Sequence, residues 1–174
     1  GVGSVGTRAW VLLLEGRDER DPLILQAKEA NMSVLEPYTE PTAYEQQGER
    51  VVQGQRLMQA ASDILLGWQQ VTAPDGITRD FYVRQLWDGK GSVDLDTIDG
   101  ARLGLYSRLC GWTLARAHAR SGDRVAIAAY LGGGESFDRA IAEFSAAYAD
   151  QNERDYAAML AAVKDGRIEA APVV

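Results

Sequence analysis

The chain is poor in the residues that support redox and metal chemistry. Its 174 residues contain one cysteine, Cys110, and one histidine, His118. An internal disulfide or a cysteine and histidine zinc set is therefore excluded. Positive charge is in the minority, with 18 Lys+Arg against 25 Asp+Glu, a formal net charge of -7 and a pI near 4.8. That balance argues against a nucleic-acid partner, which demands a concentrated basic face. Long apolar runs are missing too: Trp10 to Leu14 falls far short of the roughly 20 residues of a membrane-spanning helix, and no signal-peptide pattern is visible. The expectation is a cytoplasmic protein with neither a nucleic-acid nor a membrane partner. There are only five prolines and no low-complexity tract, while 46% of residues are hydrophobic and 25% charged. This is the composition of a folded chain, large enough for one good core or for a small lobe with a helical appendage.

Glycine, by contrast, is concentrated at the start, in Gly1-Val2-Gly3-Ser4-Val5-Gly6-Thr7. A bare GxGxxG pattern serves nucleotide folds, tight turns and hairpins alike, so its neighbours decide its meaning. In a dinucleotide-binding fold the loop opens a helix whose N-terminal N–H groups hold the pyrophosphate. Here it precedes Arg8 to Glu15, RAWVLLLE, a strand-like run of aromatic and branched side chains that leads to a turn at Gly16-Arg17-Asp18. A hairpin is expected, and with it the layout of the small lobe of protein-kinase-like phosphotransferases, in which the next strand presents a lysine.

That lysine is Lys28, in LILQAKEA (Leu23 to Ala30). Strand alternation sends Lys28 to the face opposite Leu25. Asn31 to Pro41 reads as a loop, and Thr42 to Leu66 as a helix in which Gly54 costs about 1 kcal/mol relative to alanine unless something packs closely there. Strands are expected at Leu65 to Val71 and Asp80 to Leu86, joined by a turn at Pro74-Asp75-Gly76. Beyond a polar crossing at Asp88 to Ser92 the pattern is helical: Gly100 to His118 with Thr97 or Asp99 as cap, then Arg124 to Leu131, then Phe137 to Asp150. A last helix, opened by an Asp150/Glu153 capping box, runs through Lys164 and stops at Gly166. The fold class expected is α+β: an antiparallel sheet with one packed helix over residues 1–92, a kinase-like small lobe, followed by a helical part over 93–174.

The candidate chemistry comes from this layout. Backbone N–H groups of Gly1, Gly3, Ser4 and Gly6 can approach polyphosphate oxygens without Cβ interference, and the hydroxyls of Ser4 and Thr7 add donors. Lys28 can reach α- and β-phosphates if a carboxylate from the next helix holds its ammonium in place. Glu49 and Glu45 are the candidates for that carboxylate, with Gln55 a neutral runner-up; both glutamates also suit a helix N-terminus for its dipole alone. The cofactor expected is ATP with Mg, the partners a nucleotide and an unidentified phosphoryl acceptor. His118 to Asp123 resembles the start of a kinase catalytic loop, but no asparagine comes after it at the required spacing, and helix capping explains these residues better. Asp94 and Asp96 read as solvated loop acids before a cation site. Arg84 and Lys90 flank the crossing between the two parts, where a ligand or plain solvent would meet them.

The segments GVGSVGTRAWVLLLEG, LILQAKEA, RVVQGQRLMQAASDILLGW, DFYVRQLWDGKGSVDL and LCGWTLARAHARSGDRVAIAAYLG closely resemble the bacterial domain-of-unknown-function family numbered 2252, across roughly Gly1 to Ile168. The resemblance implies a permuted protein-kinase-like fold. In longer relatives a Gly-Asp-x-His-x-x-Asn type catalytic loop and an aspartate-rich metal segment lie upstream of the glycine loop. The chain is accordingly expected to be the C-terminal, nucleotide-cradling portion of such a protein, partnered by the missing upstream segment and inactive alone. The alternative is a non-catalytic ligand- or protein-binding module on the same scaffold.

Overall fold

The computed structural model describes residues 6–86 and 91–170. Four strands, β1 (Ala9–Glu15), β2 (Pro22–Glu29), β3 (Gly67–Thr72) and β4 (Thr78–Gln85), form one antiparallel sheet in the order β1-β2-β4-β3. The helices are α1 (Gln47–Met58), between β2 and β3, then α2 (Gly100–Ser121), α3 (Arg124–Leu131) and α4 (Ser136–Lys164). The protein is thus α+β, with its sheet first and most of its helix after. Packing divides it into two units, Gly1–Asp123 and Arg124–Val174, so α2 belongs with the sheet and α1.

The hairpin chemistry is local. Between β1 and β2 the Gly16 N–H donates to the Asp21 carbonyl (2.9 Å), and the Asp18 carboxylate accepts from the Arg20 N–H (2.8 Å). Between β3 and β4 the turn falls on Pro74-Asp75-Gly76, where Gly76 has φ 76 and donates to the Ala73 carbonyl (2.9 Å). An L side chain resists that left-handed backbone, which glycine accepts freely.

Pairing register separates the two faces of the sheet. Lys28 lies opposite Ala9 and Tyr82, Tyr82 opposite Trp68, and Gln26 opposite Val11 and Arg84. Directly paired residues share a face, as do alternate residues along a strand. Lys28, Gln26, Tyr82, Arg84, Trp68 and Asp80 therefore occupy one face; Trp10, Ala27, Glu29, Arg79 and Phe81 occupy the other.

Helix α1 packs on the Lys28 face. The Asp80 carboxylate accepts from the Gln47 N–H (2.8 Å), and the Arg56 guanidinium lies 5.8 Å from the centroid of the Trp68 ring while donating to the Leu66 carbonyl (2.7 Å). Val52, between these two points, is completely buried. Gly48 is buried as well, and a Cβ built there would collide with the Phe81 carbonyl.

Three expectations change. Thr42 to Leu66 is not one helix: α1 begins at Gln47, where the Gln46 side chain caps the Glu49 N–H, and ends at Met58, after which Gln59 is extended. The segment beyond it turns at Asp63, whose carboxylate accepts from the N–H groups of Leu65 (2.8 Å) and Gln85 (2.6 Å). The break at Asp150 is also absent, since α4 runs unbroken from Ser136 to Lys164. Its polar residues there pair along the helix surface, Gln151 with Asp155 (2.7 Å) and Arg154 with Gln151 (2.9 Å), instead of capping a new one. Thirdly, the loop Asn31 to Pro41 contains a short 3-10 turn at Glu36–Tyr38. Elsewhere Asp99 caps α2 through the Arg102 N–H (2.8 Å), and Gly166, at φ 71, stands after α4 as its stop.

The two glycines of α1 predict opposite outcomes. Gly48→Ala forces the helix away from Phe81 and is expected to cost about 1–3 kcal/mol by overpacking. Gly54→Ala meets open space and is expected to gain up to about 1 kcal/mol in helix propensity. Urea unfolding midpoints check both; equal shifts for the two variants would contradict the packing of α1 on β4.

Candidate functional site

Of the glycine loop, Gly6 lies among the described residues, exposed and at φ 79, with nothing within 4 Å of a Cβ added to it. Gly1, Gly3 and Ser4 lie outside the described residues, as does Lys90. Gly6 leads into strand β1, not into a helix. A dinucleotide fingerprint, which needs the helix N-terminus at that point, is thereby excluded.

Lys28 is half-buried near the end of β2, on the face that carries α1. The helix positions of the three candidates differ. Residues advance by about 100° each along an α-helix, so Glu49 lies ~20° from Arg56, while Gln55 lies ~120° from Glu49. Arg56 covers Trp68 on β3, the sheet edge remote from β2. Glu49 shares that flank of α1. Gln55 is on the other flank, where with Gln59, Asp63, Leu66 and Arg84 it lines a cavity of about 360 Å³. Glu45 precedes the helix altogether.

Charge is arranged quite differently on the opposite face. The Glu29 carboxylate, whose side chain is 9% exposed, accepts from the Arg8 N–H (2.9 Å) and the Arg8 guanidinium (3.2 Å), with Arg79 Nε 3.9 Å away. Arg79 in turn donates to both Asp75 oxygens, at 3.0 and 2.7 Å. The hydrogen bond from the Arg8 N–H holds the Glu29 carboxyl below its ordinary value, against the opposing effect of its burial. The Arg79 guanidinium, and next the Ile77 N–H, hold Asp75 down to about 2. This four-residue chain ties β1, β2 and the β3–β4 turn together. Sequence reasoning missed it, although Asp75 and Arg79 stand four apart across a turn, a spacing that invites pairing.

The remaining sequence candidates have structural employment. His118 lies exposed in the last turn of α2, where its carbonyl accepts from the Gly122 N–H (2.9 Å), and Asp123 immediately precedes α3. Asp94 accepts from the Asp96 N–H (3.1 Å) and the Thr97 hydroxyl (2.9 Å), a loop-stabilising turn. Among the described residues no group of three His, Cys, Asp or Glu side chains is placed to hold a metal ion, and no helix is long and apolar enough to cross a membrane.

Two antiparallel hairpins joined through β2 and β4 into one sheet, with one helix laid on the face that bears the strand lysine, define the class: an α+β domain whose sheet carries α1 on that face. Within that class, a family profile matches residues 1–162, and the chain belongs to DUF2252, described as an uncharacterized protein conserved in bacteria. Comparison with curated proteins and with solved structures gives no significant match.

The Glu29 to Asp75 chain sets an acid dependence. Both carboxyls are lowered in the folded state, so their stabilisation is complete above their ordinary values of 4.5 and 3.8 and is lost as the pH falls towards about 2. Thermal unfolding monitored from pH 5 to pH 2 should show a falling midpoint that Asp75→Asn makes shallower. An unchanged slope in that variant would contradict the assignment.

Proposed function

We propose that this domain is the phosphate-cradling portion of a kinase-like phosphotransferase, with ATP and Mg as its ligand. One observation carries the reading: Lys28 stands on the α1 face of a sheet whose first strand comes shortly after the glycine-rich sequence Gly1 to Gly6. Loop, strand, lysine-bearing strand and covering helix come in the order in which kinase small lobes use them to hold phosphates. In this reading Gly1, Gly3, Ser4 and Gly6 lie over the phosphates, and the Lys28 ammonium neutralises their charge. The sequence assigns Glu49 to hold the ammonium, with Glu45 as its substitute; since Glu49 shares the Trp68 flank of α1 with Arg56, Gln55, on the flank nearer Arg84, is the better placed for that task through its amide oxygen.

The residues fit the phosphates better than the metal. Gly6 has the left-handed backbone that lets amides converge on an anion, and Lys28 supplies the cation. Bound ATP supplies the phosphoryl group. A base for the acceptor hydroxyl is not furnished by His118 to Asp123, which serve α2 and the approach to α3. Phosphoryl transfer by these 174 residues alone is accordingly not expected, and the phosphoryl acceptor belongs to the partners still to be found.

A second reading, a non-catalytic ligand- or protein-binding module, draws on a different observation. Val93, Ile98, Leu105, Tyr106 and Leu109 line a mostly apolar cavity of about 560 Å³ beside the N-terminal half of α2. Such a cavity suits a small apolar ligand or an inserted side chain.

Thermal unfolding with Mg-ATP separates the two. At about 100 times its dissociation constant, bound nucleotide should stabilise the protein by about 2.7 kcal/mol, and Lys28→Ala should abolish most of that protection. Equal protection of the wild type and Lys28→Ala would overturn the phosphate role of Lys28, and no protection of either would favour the binding module.

A further inference from the structure

We propose that Arg84 is a second anion-binding residue of the Lys28 face, and that Lys28 and Arg84 together hold the phosphate chain of a di- or triphosphate. The proposal rests on the reading of Lys28 as a phosphate ligand. It adds a residue that the loop-and-lysine pattern does not contain.

The register supplies the geometry. Arg84 is paired with Gln26, and Lys28 with Tyr82. Lys28 and Arg84 are thus diagonal neighbours on adjacent strands, on the same face, with backbones about 7–8 Å apart. Both side chains are long and flexible, so two cationic heads can converge on one polyanion.

The partners of Arg84 distinguish it from the other arginines of the sheet. Arg8 and Arg79 share the carboxylates of Glu29 and Asp75. Arg56 covers Trp68 and donates to the Leu66 carbonyl, and Arg50 donates to the Asn31 carbonyl and to the Gln47 side chain. Arg84 is half-buried, yet among the described residues its guanidinium has one hydrogen bond, to the neutral Gln26 Oε1 at 3.2 Å. A guanidinium carries five donors in a planar fork that suits phosphate oxygens. Withdrawing such a cation from water without a counter-ion is costly, and an anionic ligand offsets that cost.

A cavity lies beside it, lined by Arg84 though not by Lys28. It measures about 360 Å³, and the Gln55 and Gln59 side chains line it from α1. Its one acid, Asp63, has both oxygens engaged by the N–H groups of Leu65 and Gln85, which hold it in the loop.

Calorimetric titration of the 174-residue chain with sodium tripolyphosphate, and with adenosine as a control, tests the proposal in the wild type and in Arg84→Gln, Arg84→Lys and Lys28→Ala. Tripolyphosphate should bind the wild type and adenosine should not. Arg84→Gln and Lys28→Ala should each weaken tripolyphosphate binding about tenfold or more, and Arg84→Lys, which keeps the charge and stem but loses the fork, should fall between. Because Arg84→Lys preserves most of the packing, a graded loss there, with an unaltered melting temperature, separates ligand contact from damage to the fold. If both Arg84 variants bind like the wild type while Lys28→Ala does not, the inference is overturned and the reading of Lys28 survives. If Lys28→Ala alone binds normally, the shared site is overturned and the reading of Lys28 falls with it. Binding unaffected in every variant, or absent from the wild type, overturns both.

Discussion

The attachment of α1 to β4 is the contact on which the candidate site depends. A 12-residue helix is marginal in isolation, because its nucleation cost is repaid only by tertiary packing. Here the repayment comes at three points: on β4, the Asp80 carboxylate at the helix N-terminus and the close approach of Gly48 to the Phe81 carbonyl, and along the helix, the complete burial of Val52. A negative side chain among the first free N–H groups both satisfies a donor and complements the helix dipole. Once these three points are set, the rotation of α1 is set with them. That rotation decides which of its polar residues lie beside Arg84 and which flank Trp68.

The sheet is therefore electrostatically two-sided. On one face, two arginines and two carboxylates neutralise one another across β1, β2 and the β3–β4 turn, which suits a structural clasp. On the other, Asp80 is engaged by the Gln47 N–H and the Gln70 amide, and Asp63 by two backbone N–H groups, while the guanidinium of Arg84 meets an amide oxygen. A polyphosphate approaching that face meets Arg84 near two carboxylates, Asp63 and Asp80, that each accept from backbone N–H groups.

Much of this architecture was legible in the sequence because it rests on local rules. Alternation in LILQAKEA placed Lys28 opposite Leu25 across β2, and the Pro74-Asp75-Gly76 turn announced β3 and β4. Arg124 to Leu131 emerged as a helix with the bounds expected. The errors came where a distant residue overrules a local pattern. Periodicity extends across Thr42 to Leu66, but Gln46 and Asp80 fix where α1 starts, and Asp63 turns the chain after it ends. Asp80 lies 33 residues from the helix that it caps, so no window along the sequence reveals the pair. At Asp150 and Glu153 the spacing of a capping box coincides with the spacing of neighbours on a helix surface, and the second use prevails. For the site, the sequence brought forward Lys28, the glycines, Gln55 and Arg84 one by one; that Gln55 on α1 and Arg84 on β4 line one cavity emerges only from the fold.

The central claim is that phosphate binds to the face of the sheet under α1. Nuclear magnetic resonance reads this directly: backbone amide and side-chain shifts recorded while tripolyphosphate is added to the isotopically labelled chain. The account predicts that the perturbed signals cluster at Gly6, Gln26, Lys28, Gln55 and Arg84, with Trp10, Glu29 and Arg79 on the opposite face left unmoved. Perturbations centred on Trp10, Glu29 and Arg79, or confined to α2 and the helices beyond it, would contradict it.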